Sequence, residues 1–115
     1  MAITIRNISW IKQAKKDFLK FPENVQIKMT TALDVALEGE KADLAKPLKG
    51  FQSSVFEISV QYQTNAYRSI YALKLDDDIW VIHVFQKKSK TGIKTPRVDI
   101  DLIRSRIKEL KRILK

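Results

Sequence analysis

Arg68 stands inside Tyr67-Arg68-Ser69-Ile70-Tyr71, a run of β-forming residues. An arginine in such a run faces a partner, lies on an open sheet face, or lays its stem along an edge and keeps its head in water. Its period-two companions are Ile70, Ala72 and Lys74. Further along, Lys87, Lys88, Lys90, Lys94 and Arg97 form a set of five cations with no acid between the first and the last. Cations fixed by a strand can stabilise the charge that grows on a phosphate when RNA is cut through its 2′-hydroxyl, and they also hold a polyanion. His83 is by type a candidate acid or base, although a lone histidine within Ile82-His83-Val84 also suits a hydrogen-bonded core position. Lys46 and Lys49 precede the first clear strand, and their interest depends on what they face.

Other chemistries have little to stand on. The only glycines are Gly39, Gly50 and Gly92, too few for a phosphate-cradling or dinucleotide-binding loop. Without cysteine there is no disulfide and no thiolate ligand, and one histidine makes a histidine-based zinc site an unlikely expectation. Asp76, Asp77 and Asp78 read as turn residues, so no carboxylate pair stands on a strand to hold a catalytic metal. No nucleophile elbow is present. We therefore expect neither metal nor cofactor.

The elements that must position these cations follow from periodicity. Ile3 and Ile5 alternate with polar neighbours, as in a short strand. Trp10, Ile11, Ala14, Phe18 and Phe21 recur at helical steps, predicting a helix capped by Asn7 or Ser9 and ending near Lys20. Phe21-Pro22-Glu23-Asn24 breaks it. Val25, Met29, Ala32, Leu33, Ala36 and Leu37 then define a second helix that Pro22 opens in its first turn and Gly39 closes. Both stripes read as core faces, and the short connection predicts an antiparallel helical hairpin. Val55–Gln61, Tyr67–Leu75 and Ile79–Phe85 read as an antiparallel meander, with turns at Gln63–Ala66 and Asp76–Asp78. A last helix starts with Thr95 as cap and Pro96 in its first turn, and Ile100, Ile103, Ile107, Leu110 and Leu114 form its buried side.

The predicted architecture is α+β: an N-terminal helical hairpin packed on a small antiparallel β-sheet, with a C-terminal helix, in one domain over residues 1–115. With the helices on one sheet face, the other would be partly open and ringed by cations. The net charge of +9 predicts an acidic partner such as nucleic acid. The start lacks the plan of a signal peptide and no apolar run approaches the ~20 residues of a membrane span, so the expected location is the cytoplasm, with no membrane partner.

In order along the chain, Pro47-Leu48-Lys49-Gly50, Val55-Phe56-Glu57-Ile58, Ala66-Tyr67-Arg68-Ser69-Ile70-Tyr71, His83-Val84-Phe85-Gln86-Lys87-Lys88-Ser89 and Thr95-Pro96 before Asp99-Ile100 and Arg104-Ser105-Arg106 form a recognisable set. Together they resemble the phage-derived, HigB-like branch of the RelE/ParE toxin superfamily. The resemblance implies a RelE-like toxin of a type II toxin–antitoxin system, a metal-independent messenger RNA endonuclease acting on the ribosome. It also implies a cognate antitoxin, commonly a helix-turn-helix protein, through which alone the toxin would meet operator DNA. By resemblance Arg68 contacts the scissile phosphate and Lys87 or Lys88 has a similar task. Lys49 matches the family's lysine ahead of the first long strand. We add Lys46, Lys90, Lys94 and Arg97 as RNA-binding candidates. A C-terminal tyrosine that RelE enzymes often use for proton transfer has no counterpart after Tyr71, which leaves His83 or a lysine. Some members of the superfamily inhibit DNA gyrase without catalysis, and a basic nucleic-acid-binding phage accessory protein is a further alternative.

Overall fold

A computed structural model describes residues 7–52, 54–88 and 95–114, with Lys88 described by its backbone. Along the chain the elements are β1 (Ile8–Trp10), α1 (Lys12–Phe18), α2 (Glu23–Leu37), β2 (Ala45–Pro47), β3 (Val55–Tyr62), β4 (Asn65–Ala72), β5 (Ile79–Lys88) and α3 (Arg97–Ile113). The expected strand through Ile3 and Ile5 and the loop bearing Lys90 and Lys94 lie outside the described residues.

The expected meander is present as β3-β4-β5, at the centre of a five-stranded sheet ordered β1-β5-β4-β3-β2. Only β1 runs parallel to its neighbour, pairing Ile8 with Ile79 and Trp10 with Val81. The first predicted helix is therefore shortened: Ser9 and Trp10 belong to a strand, and α1 starts at Lys12. What decides this is tertiary. Asp78 at the β4–β5 turn accepts from the Ser9 hydroxyl at 2.7 Å and from the Asn7 amide at 3.4 Å, tying the residues expected to cap a helix to the sheet instead. The same turn is held by Asp76, which accepts from the Asp78 amide and from the Trp80 indole.

Helix α2 follows its pattern. Val25, Met29, Ala32, Leu33 and Ala36 are buried, and Gly39 ends the helix at φ +86. Its amide reaches the Ala36 carbonyl and that of Glu40 the Val35 carbonyl, the paired bonds that close a helix through a left-handed residue. Pro22 takes the N-cap position rather than the first turn, as does Pro96 in α3.

The helices do not share one sheet face. Ile58 and Val60 on β3 and Tyr67 and Tyr71 on β4 pack with α1 and α2. Val55, Ile70, Ala72 and Ile82 point the other way and are covered by Ile103, Ile107 and Leu110 of α3. The sheet face expected to be open is thus covered by α3 over Val55, Ile70, Ala72 and Ile82. A second consequence concerns β5, where a register shift between Ile70 and Tyr71 leaves Ile82 as the extra residue, with Ile70 opposite His83 and Tyr71 opposite Val81. Such a bulge reverses the side-chain alternation beyond it. Val81 faces α1 and α2, yet His83 turns to α3, and Phe85 and Lys87 share its pleat.

Candidate functional site

Arg68 lies on the α3 side of the sheet and is only 5% exposed. The β3–β4 hairpin explains how it is held. The register pairs Tyr62 with Asn65, which places Ser59 opposite Arg68 and Glu57 diagonally beside it on the same pleat. Glu57 is 1% exposed, and its two carboxylate oxygens lie 3.3 and 3.4 Å from Nη1 of Arg68. The Thr95 hydroxyl donates to Oε2 of Glu57 at 2.8 Å. Thr95 thus fastens the start of α3 to the sheet rather than capping the helix, and α3 has no side-chain cap bond. A buried ion pair of this kind requires its additional hydrogen bonds to offset the cost of desolvation.

Glu57 also lines a cleft of about 440 Å³ with Lys46, Pro47, Lys49, Thr95 and Ile100. Lys46 is the strand neighbour of Glu57, and both lysines are exposed. The cleft therefore has cations at its rim and the Glu57 carboxylate in its wall, with the guanidinium of Arg68 behind that carboxylate. Of the sequence-predicted residues, Lys46 and Lys49 line this cleft, and Arg68 adjoins it through its pairing with Glu57. Arg97 is not part of the cleft lining and, 90% exposed in its side chain, pairs with Asp101 one turn along α3 at 3.5 Å.

His83 sits one strand over, 6% exposed and stacked on Phe85 at 5.2 Å between ring centres. Both of its ring nitrogens are engaged. Nε2 lies 2.8 Å from Oδ1 of Asp99, and Nη1 of Arg106 lies 3.3 Å from Nδ1 while also donating to the Ile82 carbonyl at 3.0 Å. A guanidinium can only donate, so Nδ1 accepts and the proton of the neutral ring is on Nε2 toward Asp99. Burial pulls the Arg106 pKa down from its ordinary value, and Asp17 of α1 counteracts part of that. His83 thereby joins β5 to the first and third turns of α3.

Sequence reasoning missed Glu57, Asp99 and Arg106. All three stand within the motifs quoted above without a site role; the signal that finds Glu57 is the tight turn at Gln63 and Thr64, whose register sets Glu57 beside Arg68. Lys87 is half-buried and pairs with Ala66 across the strands. Lys88 pairs through its backbone with Asn65, and Lys90 and Lys94 lie outside the described residues. Among the described residues no three histidines or acids gather to hold a metal ion, and no helix is long and apolar enough to cross a membrane.

Comparison with known proteins follows the same lines. A double arginine-to-alanine variant of Escherichia coli toxin RelE in its free state superposes with a TM-score of 0.60 at 17% identity, covering 91% of this chain and 96% of that one. The isolated E. coli RelE toxin gives 0.58 at 18% identity, covering 87% and 97%. These likenesses establish a RelE-like fold. A search of the curated proteins finds no match. The model of the phage-derived Gp49-like protein family matches residues 16–108, which run from the end of α1 through α2, the meander and most of α3. This chain is a member of that phage-derived, Gp49-like family, built on the RelE toxin fold.

Proposed function

We propose that this chain is the toxin of a type II toxin–antitoxin pair and acts as a ribosome-dependent messenger RNA endonuclease. The observation that carries the reading is the cleft on the α3 side of the sheet, where Lys46 and Lys49 border the buried Arg68–Glu57 pair within a RelE-like fold. A phosphodiester entering between the two lysines meets the Glu57 carboxylate first and reaches Arg68 by displacing it from Nη1, a contact that at 3.3 Å is long for a charge-assisted bond. Arg68 then serves as the cation that meets charge growing on the phosphate, with Lys87 or Lys88 supplying a second at the end of β5. Lys46, Lys49, Lys90, Lys94 and Arg97 hold the RNA backbone, and binding weakens with salt. The engaged ring of His83 favours positioning of β5 against α3 over direct proton transfer, which falls to a lysine. The proposed partners are the ribosome, messenger RNA and a cognate antitoxin, the latter a helix-turn-helix protein that mediates any contact with operator DNA.

That same engagement of His83 leaves no unassigned imidazole in the cleft, and it favours one second reading, a non-enzymatic gyrase inhibitor. Brief induction in bacterial cells with mapping of new transcript 5′ ends separates the two. Fresh ends within translated reading frames, absent with an Arg68→Ala protein shown to be folded, support the nuclease. Growth arrest with intact transcripts and damaged DNA refutes it in favour of the inhibitor.

A further inference from the structure

A second cleft, of about 670 Å³, lies along the C-terminal half of α3 and shares no lining residue with the first. Arg104 lines it, with its guanidinium over the Phe51 ring at 4.5 Å and within 3.4 Å of the Gly50 carbonyl. Four cations line the second cleft, Lys74, Arg104, Lys108 and Lys111, and no acid does among the described residues. Phe51, Leu73, Leu75 and Ile107 supply its apolar wall. Three of the cations stand on α3 at steps of four and three residues, which makes a single stripe about 10 Å long at 1.5 Å of rise per residue.

We infer that this cleft is a docking site for an acidic amphipathic helix of a partner polypeptide. An apolar groove flanked by a helical stripe of like charge is complementary to a helix with apolar anchors and carboxylates at the same spacing. Single-stranded nucleic acid fits less well. It needs an open aromatic face on which to stack a base, and the one ring that lines the cleft among the described residues carries the Arg104 guanidinium on one face. The inference is independent of what the first cleft does, because it uses none of its residues.

The test uses a fluorescently labelled designed peptide with leucines at helical steps and glutamates flanking them, its glutamine counterpart, and an oligouridylate. The full chain should bind the glutamate peptide, more weakly at raised salt, and shift the amide signals of Phe51, Leu75, Ile107 and Lys108. Lys108→Glu/Lys111→Glu should weaken binding about tenfold or more. Lys12→Glu/Lys16→Glu, which makes the same change in net charge on exposed positions of α1, should leave it within about twofold. The inference is overturned by equal losses in the two charge-reversed proteins or by equal affinity for the glutamine peptide. It is equally overturned if the amide shifts fall elsewhere, if the glutamate peptide fails to bind, or if the oligouridylate binds the cleft more tightly.

Discussion

Removing Glu57 should destabilise the protein far more than a surface acid would, and the size of the effect bears directly on how Arg68 variants are read. The pair is almost wholly excluded from water, at 1% and 5% exposure. Truncating one member of a buried pair typically costs ~3–5 kcal/mol, because the remaining charge stays desolvated. The Nη1 to Oε2 distance of 3.3 Å is long for a charge-assisted bond, which places Glu57→Ala near the lower end, at about 3 kcal/mol. Loss of the Thr95 bond adds about 1 kcal/mol. With a urea m-value of about 1.5–2 kcal/mol/M, the midpoint should fall by about 2 M at unchanged m. Arg68→Ala should cost a similar amount. Replacing both at once, Glu57→Leu with Arg68→Met, leaves no buried charge and should come within about 1 kcal/mol of wild type. Urea titrations of wild type, Glu57→Leu, Arg68→Met and the double variant close the cycle, with the two alanine proteins measured beside them. Costs below about 1 kcal/mol for each single change, summing in the double, would refute the argument and show that water reaches the pair. If the double variant is folded yet leaves transcripts intact, loss of stability no longer explains loss of activity.

Two further outcomes follow from buried groups. Ser69 is fully buried and its hydroxyl has no hydrogen-bond partner among the described residues, so Ser69→Ala should raise stability by about 1 kcal/mol in the same titration; a loss of that size would show that the hydroxyl is satisfied. Burial raises the Tyr71 pKa above the ordinary tyrosine value, so the fold favours the neutral phenol. Its contribution is complete below that ordinary value and is lost as pH rises through the raised one. Stability should therefore fall in the alkaline range beyond pH ~10, and Tyr71→Phe should flatten that fall; an identical alkaline profile for the variant would count against it.

Much of this fold is legible in the sequence where the signal is local. The stripe from Val25 to Ala36 and the closing Gly39 set α2, and β-rich runs separated by turn residues set β3, β4 and β5. Legibility fails where a partner distant in sequence decides. Ile8-Ser9-Trp10 fits the helical period of the residues after it, and only pairing with β5, some seventy residues on, makes it a strand. Thr95 before Pro96 has every mark of a cap, but an acceptor 38 residues away takes its hydroxyl.

The candidate site divides along the same line. Residue type was enough to single out Arg68, Lys46 and Lys49, since cations beside a strand start and inside a strand are conspicuous. Their geometry was not, because it depends on two register facts. The two-residue turn at Gln63 and Thr64 puts Glu57 beside Arg68, and the extra residue Ile82 decides where His83 points. Counting by twos from Ile79 and Val81 sends His83 into the core under α1 and α2. The bulge sends it instead to Asp99 and Arg106, and with it Phe85 and Lys87. A single inserted position therefore turns Phe85 and Lys87 to the same side of the sheet as Arg68, the side on which the proposed RNA cleft lies. Through Asp99 and Arg106, the histidine is what fixes that end of the strand to α3.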